Sequence, residues 1–350
     1  MKLSLSRVNF KWITYLKYLL FCFFVIEKMN ILMMLLTWIK FAFSIPRSEP
    51  MTRTEKFVQW SSLFAYCITG FSFIAAPQMY NIILGLDYQG RSEGYIRLFG
   101  ISLVDIGVIF VILVRCEDKV SRYGTIFISI FSRLLWVPIT GVLLIVREMV
   151  PLSFALLFMV LDPCLALVTL LIWLSEERGP LLGTFCEELL ALLRACGRLK
   201  TRGSILTILS CFIIGLIQLI FWYIFVVRPD FAQALFKLEQ FEGFASGYLS
   251  AFFYLISIHG LYHVLCALNL NSCLPHGSIF YRVLLDQPVF LILFFLEQIE
   301  RNLFLVLLCI DVPPAIIVLL SLVKEGYPKE SNKVNAMETT SLGYQAERHY

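Results

Sequence analysis

The chain has 350 residues, of which 59% are hydrophobic and 15% are charged, and its formal net charge at pH 7 is +4. Soluble domains carry about 25% charged residues, and a soluble core of this size could not cover so much apolar surface. The composition therefore excludes an ordinary soluble protein and predicts a polytopic membrane protein, with the lipid bilayer as its first partner. The basic residues concentrate between apolar runs, which indicates membrane topology and not nucleic-acid binding.

Residues 1–50 form an apolar N-terminal extension whose role the sequence leaves open. Its two apolar stretches, 12–26 and 29–45, contain or flank the charged residues Lys17, Lys28 and Lys40. An extra span, an interfacial hairpin and a signal-like segment all fit this pattern, although no Ala-x-Ala-like cleavage site follows.

A first group of four apolar runs lies within residues 51–174. The runs cover 57–76, 98–114, 123–146 and 149–174, and Pro77 closes the first. At 1.5 Å rise per residue, each can cross or nearly cross a hydrocarbon core of about 30 Å. The last three runs contain one ionisable residue each near the middle: Asp105, Arg133 and Asp162.

The segment 175–203 is the longest polar stretch between apolar runs. It is rich in arginine and lysine towards its end, and residues 187–202 have an amphipathic pattern. This pattern predicts an interfacial helix that binds anionic lipid; a solvated linker is the alternative.

A second group of four runs lies within residues 204–324, at 205–227, 246–269, 277–296 and 302–324. Its ionisable residues within apolar runs are His259, His263, Arg282, Asp286 and Asp311. The tail, 325–350, is polar and is predicted to be disordered on the cytoplasmic side.

The two groups repeat one pattern. Ile130-Phe131-Ser132-Arg133 corresponds to Ile279-Phe280-Tyr281-Arg282, and both Arg133 to Arg282 and Asp162 to Asp311 are offsets of 149 residues. We therefore predict an all-α membrane protein made of two fused four-transmembrane-helix bundles, with about eight spans and an N-terminal ninth if the extension crosses the membrane. Four spans per bundle is an even number, so the repeats should be parallel and related by an axis along the membrane normal.

Lysine and arginine counts predict the orientation. Fifteen of these residues lie in the segments on the side of the linker and the tail, against six in the loops on the other side. The positive-inside rule therefore places the linker and the tail in the cytoplasm. The membrane is expected to be the endoplasmic reticulum or the plasma membrane.

The buried ionisable residues allow two interpretations. A charge at mid-bilayer costs about 3 kcal/mol on insertion scales, so each should find a partner inside the bundle. Arg133 with Asp162, and Arg282 with Asp311 or Asp286, are predicted as charge pairs that lock each bundle. The alternative is a polar pocket or an ion path that includes Asp105, His259 and His263.

No catalytic motif, metal site or cofactor is predicted. His259 and His263 share one helix face at i and i+4, but metal or haem ligation needs further ligands, and the chain has only four histidines. We therefore expect packed, hydrogen-bonded histidines; a membrane enzyme that uses this pair is the least favoured function.

A set of single residues at loose spacing marks the first unit: Pro77, Arg97-x-x-Gly100, Gly107, Arg115, Ser132-Arg133 and the acid of the last run. In these positions the unit resembles the DoxX-like small four-helix membrane proteins. The resemblance covers about 57–174 and, more faintly, 205–324, where Ser250 stands in place of Arg97 and the loop between the second and third runs has no basic residue. The resemblance implies a four-helix unit and assigns no activity.

The sequence thus favours a non-enzymatic multi-pass protein, with a structural, scaffolding or lipid-binding role. A transporter or channel for a small solute, lipid or proton is the alternative, and it would use the buried arginine, aspartate and histidine side chains between the repeats.

Overall fold

A computed structural model describes residues 49–115, 119–176, 205–267 and 281–325, and every regular element within these ranges is helical. The predictions for the extension up to residue 48, for linker residues 177–204 and for the tail from residue 326 lie outside the described residues. This includes the anionic-lipid helix at 187–202.

The first helix, α1 (Arg53–Ala75), begins at a capping box. The Thr52 side chain accepts from the Glu55 backbone N–H, and the Glu55 carboxylate accepts from the Thr52 backbone N–H. Pro77 then starts a short helix, α2 (Pro77–Leu84), which ends at Gly85 in the left-handed region. Proline has no backbone N–H to donate to α1 but is favoured in the first turn of a helix, so Pro77 lies where α1 ends and α2 begins. The sequence analysis treated this segment as a loop and missed α2.

The second half of the chain has the same arrangement. Helix α6 (Ile205–Trp222 with a π-helical end, Tyr223–Val227) is followed by α7 (Pro229–Phe236). The hinge residue Arg228 has φ −132° and ψ 59°, close to the φ −141° and ψ 57° of Ala76. Lys237 takes the left-handed position that Gly85 holds after α2.

Two helices, α3 (Ser92–Arg115) and α8 (Ala245–Ala267), lie at the centre and pack on each other. In the most apolar 18-residue segment of α3, 94% of the residues are buried inside the protein. Nearly every described side chain of α8 up to His263 is also buried. Because α8 is shielded from lipid, it tolerates two histidines, several tyrosines and serines that a lipid-facing helix would not.

The outer helices complete each half. Helix α4 consists of Lys119–Phe131, a π-helical Ser132–Trp136 and Val137–Val146, and α5 is Leu152–Glu176. Their counterparts are α9, with a π-helical Tyr281–Asp286 and Gln287–Phe295, and α10 (Arg301–Glu325). The π-helical turns contain Arg133 and Arg282, and such turns frequently occur at functional sites.

Helices α4 and α9 end in the same way. The N–H of Met149 bonds to Leu144 O and the N–H of Gln298 bonds to Leu293 O, both at 2.9 Å. Glu148 and Glu297 lie between, at φ 53° and 58°. This is the Schellman geometry, here with glutamate at the position that usually takes glycine.

Six of the described helices are long and apolar enough to cross a membrane. They are Arg53–Ala75, Ser92–Arg115, Arg122–Val146, Leu152–Glu176, Leu209–Val227 and Arg301–Leu320. These match six of the eight predicted spans, and the membrane character of the chain is confirmed to that extent. The other two predicted spans correspond to α8 and to α9, and the described part of α9 is short.

Candidate functional site

A first buried polar cluster joins α1, α4 and α5, and we call Tyr66, Arg133 and Asp162 the Arg133 cluster. The Tyr66 hydroxyl donates to Asp162 Oδ1 at 2.6 Å and accepts from Arg133 Nε at 2.8 Å. The tyrosine therefore lies between the two charged residues that the sequence predicted as a pair. No direct ion pair within 4 Å joins this arginine to Asp162, as far as the described residues extend.

The guanidinium of Arg133 is incompletely satisfied. Its carbon lies 5.0 Å from the Tyr66 ring centroid and 5.3 Å from that of Phe110, so two aromatic faces contact the cation. Nη1 and Nη2 nevertheless have no hydrogen-bond partner among the described residues, although the side chain is 1% exposed. Cation–π contacts offset part of the desolvation cost, but buried N–H donors normally find an acceptor or water.

A second buried cluster lies between the central helices and α9 and α10, and we call it the Arg282 cluster. Its members are Asp105, His259, His263, Arg282, Asp286 and Asp311. Arg282 Nε lies 4.0 Å from Asp311 Oδ1, a loose ion pair. The same guanidinium reaches the Tyr281 hydroxyl and His263 Nε2, each at 3.4 Å.

His259 and His263 lie one turn apart on the same face of α8. His263 Nδ1 lies 2.8 Å from the carbonyl oxygen of His259. A proton on Nδ1 makes that hydrogen bond and leaves Nε2 as the acceptor towards Arg282, which is one neutral tautomer. His259 packs edge-on against Tyr281, with the ring centroids 5.7 Å apart.

Two carboxyl groups of the Arg282 cluster meet each other. The Asp105 side chain from α3 and the Asp286 side chain from α9 lie close enough to interact, and Oδ1 of each is buried without a hydrogen-bond partner among the described residues. Two ionised carboxylates repel, so two buried acids at close range favour a proton on one of them. Asp286, four residues after Arg282, was predicted as a second partner for that arginine, and it also lies near Asp105 of the other half.

The charges of the Arg282 cluster do not balance without protons. Three aspartates face one arginine, and each of these residues is at most 6% exposed. One proton shared by Asp105 and Asp286 leaves a single net negative charge, and a second proton neutralises the cluster. An unpaired buried charge is costly, so protonation of these carboxyls lowers the free-energy cost of burying the cluster.

The structure places all eight predicted site residues in the interior and brings six of them together in one cluster. Three contributors were missed by the sequence analysis: Tyr66, Tyr281 and Gln287, whose Nε2 lies 3.4 Å from Asp311 Oδ2. Tyrosine and glutamine inside apolar runs give a weak signal, because they also occur there as ordinary packing residues.

Outside the membrane spans, an ion pair between described residues joins the two halves. Arg91 Nε and Nη2 donate to the two carboxylate oxygens of Glu239, at 2.9 and 2.7 Å. This hydrogen bonding raises the pKa of Arg91 and lowers the pKa of Glu239.

In the part of the chain that the structure describes, no three histidine, cysteine, aspartate or glutamate side chains are placed to hold a metal ion. Comparison with protein-family models, with curated proteins and with solved structures found no match to this chain. The site is therefore interpreted from its own geometry.

Proposed function

We propose that the protein is a proton-conducting membrane transporter, built from two fused four-helix units, in which the Arg282 cluster carries the proton. The observation that carries this proposal is the burial of three aspartates around one arginine, with Oδ1 of both Asp105 and Asp286 lacking a hydrogen-bond partner among the described residues. A proton held between helices of the two units is placed where a small relative movement of the units would release it.

Reciprocal contacts support the two-unit architecture. A Cβ added at Gly90 would meet the Glu242 side chain, and one added at Gly243 would meet the Gln89 side chain. Likewise, a Cβ at Gly94 would meet the carbonyl of Gln298, and one at Gly247 the carbonyl of Met149. The glycines of each pair are 153 residues apart. Each unit therefore uses the same surface to contact the other, as an isologous two-fold interface requires.

The proposed units are 51–174 and 204–324, with eight spans in total and the two histidines in the second unit. A unit of this kind is what the resemblance to DoxX-like proteins implies. Equivalent positions recur at the turns as well, since Glu148 and Glu297 share a left-handed conformation.

Unsatisfied polar atoms favour transport over the structural, scaffolding role. Charge pairs that only lock a bundle should satisfy one another. Among the described residues of the Arg282 cluster, His259 Nε2, Asp105 Oδ1 and Asp286 Oδ1 are buried without any hydrogen-bond partner. A proton path supplies a reason for such groups, because water or a moving proton uses them transiently.

The scaffolding interpretation also has a specific observation in its favour. The glycine contacts between the loops of the two units, together with the Arg91–Glu239 pair, fasten the units on one side of the membrane. The two functions differ in one measurable respect, which is whether the protein passes protons.

Proton flux tests the proposal. Full-length protein in neutral phosphatidylcholine vesicles, with a pH-sensitive dye inside, should collapse an imposed proton gradient faster than empty vesicles do. Asp105→Asn and Asp286→Asn should each reduce this rate at least tenfold, which corresponds to about 1.4 kcal/mol. Asp87→Asn, at an exposed position, is the matched control and should leave it unchanged. A wild-type rate equal to that of empty vesicles would overturn the proposal and favour the scaffold.

A further inference from the structure

An apolar crevice opens beside the Arg133 cluster, between α3, α4, α5 and α8. It has a volume of about 40 Å³, and its walls include Phe99, Phe154 and Phe158. Asp162 lines its inner end. From Phe154 to Asp162 the helix rises about 12 Å at 1.5 Å per residue, so the crevice extends from one end of α5 towards its middle.

Two polar side chains in the crevice have no partner within the described ranges. Thr140 Oγ1 and the Tyr254 hydroxyl are both buried without a hydrogen bond, in side chains that are 2% and 7% exposed. A helical threonine can bond to the carbonyl four residues earlier, as Thr169 does with Leu165 O at 2.7 Å. Thr140 makes no such bond. Its hydroxyl and that of Tyr254 therefore need an acceptor or donor from elsewhere.

From this geometry we infer that the crevice binds a neutral lipid with a single hydroxyl, such as a long-chain alcohol or a sterol, with the hydroxyl between Thr140 and Tyr254. A hydroxyl can donate to one of these groups and accept from the other. The aromatic walls suit an alkyl or ring skeleton, as in sites where a few polar groups orient an apolar ligand. The volume admits only the hydroxyl end, so the remainder of the ligand lies in the open part of the crevice and in the bilayer.

The charge of the surroundings selects a neutral ligand. Asp162 is the only ionisable acid that lines the crevice in the described structure, and Tyr66 connects it to Arg133. A phosphate or carboxylate headgroup would face the aspartate, which disfavours it. An amine would bring a second cation to a carboxylate already balanced by the arginine. This site belongs to the Arg133 cluster, so it is independent of the proton site proposed above.

Photolabelling tests the inference in full-length protein reconstituted in phosphatidylcholine vesicles. The probe is a long-chain alcohol with a diazirine on its first few carbons, and the comparison probe is its methyl ether, which cannot donate. The alcohol should label the peptide that contains Phe158 and Met159, about tenfold more than the ether does, as expected for one well-made hydrogen bond.

Variants locate the ligand's hydroxyl. Thr140→Val combined with Tyr254→Phe should reduce alcohol labelling to the level of the ether, while Thr169→Val, whose hydroxyl is satisfied within its own helix, should not change it. Ala251→Leu fills the crevice and should abolish labelling by both probes. Equal labelling by alcohol and ether in the wild-type protein, or labelling elsewhere on the chain, would overturn the inference whether or not the variants fold.

Discussion

The Tyr66 hydroxyl is the most sensitive single group in the Arg133 cluster, and Tyr66→Phe removes it with almost no change of volume. The hydroxyl makes two hydrogen bonds to charged groups, at 2.6 and 2.8 Å. Such bonds contribute about 1.5–3 kcal/mol each, and their loss leaves buried charged groups unsatisfied. We therefore expect the free energy of unfolding to fall by about 3 kcal/mol or more.

Tyr88→Phe is the matched control for this variant. The Tyr88 hydroxyl donates to the uncharged carbonyl of Pro77 at 2.6 Å, in a half-buried position. The expected loss there is about 1 kcal/mol. Both variants are measured by reversible denaturation in detergent, followed by near-ultraviolet circular dichroism. Equal losses in the two variants would refute the reasoning, because they would mean that Tyr66 does not connect charged partners.

A double substitution extends the same test. Arg133→Leu or Asp162→Leu alone should destabilise by about 3–5 kcal/mol, since each leaves the other charge buried. The double variant should recover much of that loss, because no charge is then left without its counterpart. Strictly additive losses would show that the two residues do not interact through Tyr66.

Three further predictions concern the loops and the orientation. Gly247→Ala should lower the free energy of unfolding by about 1–3 kcal/mol, as overpacked contacts do, because the new Cβ meets the backbone of the opposite unit. Gly85→Asn, at a left-handed position with open space, should be nearly neutral in the same denaturation assay. The pKa of Glu239 in the folded protein lies below its ordinary value of 4.5. The ionised Glu239 carboxylate therefore stabilises the fold above pH 4.5, and this stabilisation is lost as the pH falls through the lowered pKa. Thermal unfolding of Glu239→Gln should lack this part of the acid dependence, and the same acid dependence in the variant and the wild-type protein would contradict the prediction. An engineered glycosylation acceptor within 86–92 should be modified and one at residue 190 should not, and the opposite pattern would reverse the orientation.

The sequence was sufficient to find the ionisable members of both clusters. Hydrocarbon tolerates few charges, so Arg133 and Arg282 inside apolar runs required partners within the bundle. The sequence could not identify Tyr66 as the connection to Asp162, because tyrosine is stable in an apolar helix without an ionic partner and its role depends on how α1 packs against α4.

The sequence could not predict that Asp105 and Asp286 lie close together, for a different reason. The two residues lie on helices from the two halves of the chain, and no local pattern shows that α3 and α8 lie at the centre. The short helices α2 and α7 were missed because Pro77 and Pro229 indicate a helix end as readily as a helix start. Both cases depend on how segments pack, which composition and spacing do not reveal.

Infrared spectroscopy of the carboxyl groups tests the central claim most directly. If Asp105 and Asp286 share a proton in the interior, as we propose, full-length protein at neutral pH should show the carbonyl stretch of a protonated carboxylic acid. Asp105→Asn and Asp286→Asn should each remove or shift this band, and Asp87→Asn should leave it in place. A spectrum without a protonated carboxyl, or a band unaffected by either substitution, would contradict the account.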